Sequence, residues 1–173
     1  ALWQALMAAG AEVDLTPYGT ETMHVLRAEK GFVIVGQDTD GSVTPEDLGM
    51  GWAVAKRKKF SFVGQRGMMR ADCLRSQRKQ FVGLSPLNPS CFLPEGSQIV
   101  FARPQSLPAD MVGHVTSSYD SPVLGRSFAL ALVKGGLDRH GEIVEVSGGP
   151  DRWEKAELRS PIFYDPEGAR QNV

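Results

Sequence analysis

Glu29 is an acid on an apolar helix face. Met23, Val25 and Leu26 form a rough apolar stripe at helical spacing behind Thr20, a residue of N-cap type. Glu29 follows Leu26 by three positions and Val25 by four, so it projects from the same face near the helix end, before Gly31 stops the helix. A carboxylate there opposes the helix macrodipole by about 0.3–1 kcal/mol, and burying it unpartnered would cost more. Two arrangements satisfy it: the side chain turns to solvent or to a nearby lysine, or it faces inward and meets a cation or hydrogen-bond donors. The second chemically suggestive stretch is Lys56-Arg57-Lys58-Lys59. Such runs are usually solvated loops. As a nucleic-acid patch it is thin, because no aromatics interleave and the chain carries a net charge of −1.

Other motifs fail on spacing. Asp38-Thr39-Asp40-Gly41 starts like a calcium loop, but Val43 occupies the sixth position where that loop needs glycine, so the stretch reads as a turn. Gly49-Met50-Gly51 begins a dinucleotide fingerprint that Val54 breaks at the third glycine. His24, His114 and His140 show no zinc spacing with Cys73 and Cys91, and no metal site is expected. The cysteines form no C-x-x-C and read as reduced thiols of a cytoplasmic protein. No nucleophile elbow is present. With 42% hydrophobic and 23% charged residues in 173, the composition is that of a globular domain without a pull toward nucleic acid or an anionic membrane. No apolar run reaches the length of a membrane span, and no signal-peptide pattern opens the chain.

The spacing predicts a helix over 2–9 ended by Gly10, a turn at Thr16-Pro17-Tyr18-Gly19 and a second helix over 21–30. Leu2, Trp3, Leu6 and Met7 form an apolar face from the first residues, so the chain begins inside a helix and reads as a fragment. Phe32-Val33-Ile34-Val35 reads as a short strand or extended segment, Thr44-Pro45-Glu46-Asp47 as a helix start, Trp52-Ala53-Val54 as a strand and 62–69 as a short helix. Near residue 75 the pattern changes. Segments 79–84, 97–103, 111–118, 127–133, 142–147 and 154–159 are short, β-branched or apolar, and separated by Gly, Pro, Ser and Asp, which predicts a β-sandwich or small barrel. The organisation expected is 1–75, 76–165 and a loose polar tail over 166–173.

Leu26 to Val54, written L-R-A-E-K-G-F-V-I-V-G-Q-D-T-D-G-S-V-T-P-E-D-L-G-M-G-W-A-V, resembles the folate-binding part of the aminomethyltransferase (T-protein) superfamily, in wording most of all its branch of heterotetrameric sarcosine oxidase alpha subunits. Gly113 to Arg126, G-H-V-T-S-S-Y-D-S-P-V-L-G-R, resembles the C-terminal barrel of the same superfamily. The resemblance implies an α+β fold: part of a T-protein-like folate-binding domain followed by a C-terminal antiparallel β-barrel. It implies tetrahydrofolate as cofactor of this part, and capture of the one-carbon unit released by oxidative demethylation of sarcosine, giving 5,10-methylenetetrahydrofolate. It further implies that FAD, FMN and NAD belong to the intact complex outside this chain and that the partners are the other sarcosine oxidase subunits, with no nucleic acid and no membrane.

By the same resemblance, Glu29 matches the carboxylate that accepts hydrogen bonds from the pterin edge. Lys58 stands where glycine-cleavage relatives have arginine, with Arg57 as its alternative; a lysine makes a point-charge contact and not a two-pronged one. Tyr164 matches the aromatic contact, with Phe163 one residue away. No catalytic residue is expected within the chain, since the acidic residue near the reacting folate nitrogen belongs to the preceding part of the family's unit, and the fragment alone is expected to be inactive. Ser61 and Phe62 stand where the branch acting in iron–sulfur cluster maturation carries a cysteine, which argues against that branch. A glycine-cleavage aminomethyltransferase, a dimethylglycine dehydrogenase and a non-catalytic assembly module are the alternatives.

Overall fold

A computed structural model describes residues 1–104, 106, 108–149 and 152–171. The β-rich segments are β1 (Lys79–Pro86), β2 (Gln98–Val100), β3 (Gly113–Ser121), β4 (Arg126–Lys134), β5 (Ile143–Gly149) and β6 (Arg152–Arg159). They form a closed antiparallel barrel in the order β1-β4-β3-β2-β5-β6, the circle closing through Gly83 opposite Arg159 and Leu84 opposite Leu158. Of the two architectures expected, the barrel is the one observed.

Side-chain alternation sorts the strands into two apolar layers. Val82, Leu84, Val115, Ala129, Ala131, Val133, Val144, Val146, Ala156 and Leu158 fill the interior. The alanines keep that interior small enough for a narrow barrel. Phe81, Phe128, Leu130 and Leu132 point outward and are nevertheless buried, under Ala28, Val25, Val33, Val43, Leu48 and Phe163. Strands β1 and β4 are thus covered on both faces, which is why Phe128 to Val133 is a continuous apolar run.

One irregularity decides what faces outward from β3. Val115 lies in the inner layer and Tyr119 in the outer one, although residues four apart on a strand share a face. The register against β4 slips between them: Val115 pairs with Ala131 but Ser117 with Leu130, leaving Thr116 as the extra residue of a β-bulge. The bulge reverses the alternation. Ser117, Tyr119 and Ser121 consequently face out, toward the N-terminal part.

That part consists of α1 (Leu2–Gly10), α2 (Thr20–Glu29), α3 (Gln65–Met68) and turns. Four local expectations change. Gly19, not Thr20, is the N-cap of α2, and no side chain caps it. Phe32 to Val35 forms no strand beyond an isolated bridge of Val35 with Thr39; Gln37 and Asp38 donate to the Ile34 carbonyl and turn the chain back. Thr44 to Asp47 closes as a capped turn, with Thr44 N and Oγ1 each 2.8 Å from Asp47 Oδ2, and stops at Gly49, which has a positive φ of 69°. Trp52 lies in a 3-10 turn, Gly51–Ala53. A closed barrel offers no free edge for these segments to join. The stretch after Asp165, expected to be loose, makes a 3-10 turn at Ala169–Gln171 held by Asp165; Asn172 and Val173 lie outside the described residues. Among the described residues, no helix is long and apolar enough to cross a membrane, and both cysteines are free.

The turn at 44–49 is pinned to the barrel through Asp47. Its carboxylate accepts from Arg78 Nη2 at 2.7 Å and Nε at 2.9 Å, and its carbonyl accepts from Phe81 N. Burial pushes the Asp47 carboxyl upward, but Arg78 and Thr44 outweigh it and hold it below its ordinary value of 3.8. The stabilisation is therefore complete above pH 3.8 and is lost as pH falls through the lower folded value. Asp47→Asn is expected to cost about 1.5–3 kcal/mol at neutral pH. In urea titrations the wild-type advantage should shrink only below about pH 4.

Candidate functional site

Glu29 ends α2 and is 2% exposed. Ser121 Oγ, brought outward by the β3 bulge, donates to Glu29 Oε1 at 2.6 Å and accepts from Leu124 N. The helix end itself is clamped by the segment after β6: the Glu29 carbonyl accepts from Phe163 N at 2.8 Å and Tyr164 N at 2.9 Å. Gly31 makes this approach possible. It has a φ of 70°, and a Cβ there would lie 2.8 Å from the Pro161 carbonyl oxygen. Lys30, the nearest cation in sequence, turns away to the Asp165 carbonyl oxygen at 2.6 Å and to its carboxylate at 3.3 Å. Of the two arrangements open to Glu29, the inward one is adopted. Its carboxylate makes no ion pair among the described residues.

Tyr164 and Phe163 diverge. The Phe163 ring packs 4.7 Å from the Phe128 ring within the outer apolar layer. Tyr164 stays outside that layer, with the Arg170 guanidinium 5.4 Å from its ring centre. The backbone bonds to Glu29 place Tyr164 beside it.

Lys58 and Arg57 lie elsewhere. Both line a wide cleft of about 910 Å³ with Trp52, Val54 and Leu137. Lys58 alone of the two also lines a narrower one of about 340 Å³ with Phe62, Met68 and Leu74. Its ammonium stands 4.9 Å from the Phe62 ring centre and 6.0 Å from that of Phe60. Lys56 is partly neutralised by Glu46 at 2.8 Å. Neither Glu29 nor Tyr164 lines these two clefts. The four expected site residues therefore form two groups, Glu29 with Tyr164 and Arg57 with Lys58.

Sequence reasoning missed the residues that hold this end of α2. Asp38, read as part of a surface turn, is fully buried; it accepts from Arg27 Nη1 (2.5 Å), Ile34 N (2.9 Å), Thr116 Oγ1 (2.5 Å) and Ser117 Oγ (2.7 Å). The available signal was Thr116-Ser117-Ser118, a hydroxyl-rich break in an apolar strand. No group of three or more His, Cys, Asp or Glu side chains suited to a metal occurs among the described residues.

Residues 1–58 match the GCVT N-terminal domain, and residues 79–165 match the glycine cleavage T-protein C-terminal barrel domain. The chain is 47% identical to the sarcosine oxidase subunit alpha of Corynebacterium sp. (strain U-96), over 99% of this chain and 18% of that protein. It is 40% identical to the subunit of the same name from Rhizobium meliloti (strain 1021), over 98% of this chain and 17% of that one. Against the aminomethyltransferase of Geobacillus kaustophilus (strain HTA426) the identity is 32%, over 84% of this chain and 38% of that protein. The chain thus spans less than a fifth of the sarcosine oxidase subunits that it matches. The crystal structure of glycine cleavage system aminomethyltransferase T from Bartonella henselae superposes with a TM-score of 0.68 at 23% identity, covering 83% of this chain and 38% of that one. That likeness concerns the fold.

Ser121→Ala removes the hydroxyl donor to Glu29 and leaves a buried carboxylate to be satisfied. The expected loss is about 1–3 kcal/mol of unfolding free energy, read from urea denaturation at neutral pH. An unchanged midpoint would mean that Glu29 draws nothing from Ser121.

Proposed function

The chain belongs to the glycine cleavage T-protein family, and from that membership we propose that it is the folate-handling C-terminal part of a sarcosine oxidase alpha subunit. Its role in this reading is to bind tetrahydrofolate where the one-carbon unit from sarcosine demethylation is captured as 5,10-methylenetetrahydrofolate. The observation that carries the reading is the Glu29 carboxylate: buried, outside every ion pair among the described residues, and held at Oε1 by one hydroxyl.

A carboxylate has room for about four hydrogen bonds. The pterin edge of a folate offers ring N–H and amino donors, so its chemistry fits what Glu29 needs. An analogue lacking those donors would leave a desolvated charge short of partners, which is a strong basis for discrimination. Tyr164, joined to Glu29 through the backbone, is the aromatic neighbour for the ring. Lys58, with Arg57, offers exposed positive charge for the carboxylates of the folate tail; as a lysine it acts as a point charge. Bound tetrahydrofolate supplies the nucleophilic nitrogen that takes up the one-carbon unit. This chain's residues bind and orient it, and none of them is assigned a proton transfer.

The same reading divides the chain at 75/76, giving the C-terminal part of the folate domain and then the barrel. It places FAD, FMN and NAD on other parts of the complex, makes the remaining sarcosine oxidase subunits the partners, and leaves this segment by itself without turnover. The lower identity to the aminomethyltransferase, 32% against 47%, puts the glycine-cleavage reading second.

Glu29→Gln in the intact polypeptide tests the proposal by calorimetric titration with a reduced folate. Loss of a charged acceptor worth about 1.5–3 kcal/mol predicts affinity lower by about 10- to 150-fold. Oxidation of the amine, carried out at the flavin, should persist while its coupling to folate is lost. Unchanged folate affinity would overturn the reading.

A further inference from the structure

Glu29 is useful only if α2 delivers it at one height and one roll angle over β3. The apolar contacts of that helix do not fix either. Ala28 is its one fully buried apolar residue, and apolar contact carries no direction. What carries direction is polar: the clamp of Phe163 N and Tyr164 N on the Glu29 carbonyl holds the end of the helix, and the contacts that tie it to β3 begin two residues before Glu29.

Arg27 extends from the last turn of α2 into the gap between the helix and β3. Its Nη1 donates to Asp38 Oδ2 at 2.5 Å and to the Phe32 carbonyl at 3.1 Å; its Nη2 donates to Ser117 Oγ at 2.8 Å and Tyr119 Oη at 3.2 Å. Asp38 is tied in turn to Thr116 and Ser117 of the bulge. Four residues further along the outward face of β3, Ser121 holds the Glu29 carboxylate. Arg27 and Glu29 are about 200° apart around the helix axis at 3.6 residues per turn. One strand therefore grips the helix end at two points on different sides, which fixes its rotation as well as its position.

We propose that the Arg27–Asp38 pair is the positioning device for Glu29, setting the carboxylate against the ligand without touching the ligand itself. This rests on the folate reading of Glu29 given above. A buried ion pair is a poor choice for stability, since apolar residues of similar volume do as well or better there. It is a good choice for direction, because a planar guanidinium can bond along several fixed lines at once. The bulge at Thr116 belongs to the device: without it, the hydroxyls of Ser117 and Ser121 would face the barrel interior.

The test is a double-mutant cycle on folate affinity in the intact polypeptide, with Asp47→Asn as the control. Asp47 forms the other buried pair with arginine among the described residues, so its variant reports general destabilisation. Asp38→Asn should weaken binding of a reduced folate about tenfold, and the Glu29→Gln/Asp38→Asn double variant should bind no worse than Glu29→Gln alone. Asp47→Asn should lower stability and leave affinity unchanged. Additive effects of Asp38→Asn and Glu29→Gln, or equal affinity losses for Asp38→Asn and Asp47→Asn, would overturn the proposal. A second readout needs no folate: the ¹³C resonance of the Glu29 carboxyl should move in Asp38→Asn and stay in place in Asp47→Asn. If Glu29→Gln binds folate normally, the folate reading fails, and the positioning role is then decided by that resonance alone. Should Asp38→Asn not fold, Arg27→Lys and Ser117→Ala take its place with the same expected outcomes.

Discussion

Phe81, Phe128, Leu130 and Leu132 point away from the barrel interior, and leaving such side chains in water would forfeit roughly 1.5–3 kcal/mol each. The need to cover them organises the chain before Lys79. Val25 and Ala28 of α2, Val33 and Val43 of the following loops, Leu48 of the capped turn and Phe163 from the C-terminal segment all converge on that layer. Among the described residues, no second sheet is built to do this, and no long helix. Short pieces suffice because each is tied down separately. One consequence is that the end of α2 is carried over β3, where the bulge has turned three polar side chains outward to meet it.

Among the described residues, three carboxylates are buried beneath or beside this cover, and they are treated differently. Asp38 and Asp47 each meet an arginine, and both arginines add bonds to neighbouring carbonyls or hydroxyls. Glu29, with comparable burial, meets one serine hydroxyl and no cation among the described residues. Burial of a charge demands compensation, and two of the three sites supply it in full from the protein. The third leaves acceptor capacity for something else. Under the folate reading proposed above, that asymmetry is what would distinguish Glu29 from the two structural carboxylates.

The barrel was legible in the sequence because alternation and turn residues are local: all six strands fall where their β-branched segments lie. Glu29 was legible only in part: helical spacing left it open between solvent and the interior, and of the stripe it was aligned with, Met23 and Leu26 are exposed while Ala28 and Glu29 are the buried positions of α2. Trp52 to Val54 reads as a strand because its composition is right, and of the two readings of Phe32 to Val35, strand or extended segment, the strand is not formed; the closed barrel that denies both an edge is a non-local fact. Thr44 to Asp47 carries a correct cap signature, and Gly49 ends the helix before it begins. Asp38 looked like a turn acid in D-T-D-G, because its hydroxyl partners are 78 and 79 residues away. The change of phase at Thr116 could not be read either, since a bulge alters which face a residue occupies without altering its neighbours in sequence.

The two groups of site residues differ in what they can contribute under the folate reading. Lys58 and Arg57 are exposed and line open clefts, and Lys56 beside them is already paired with Glu46. Charges in that setting are screened by salt, and exposed pairs contribute on the order of 1 kcal/mol or less. They can attract an anionic tail, but they distinguish poorly among anions. Glu29 is desolvated and fixed, so a partner that fails to supply donors is rejected through the cost of an unsatisfied charge. Under that reading, a lysine at position 58, where the resemblance implies arginine, would be tolerable in a way that loss of the acid at 29 would not. The basic group would then set how readily a folate is attracted, and the buried acid, held by Ser121, would set which ring is accepted.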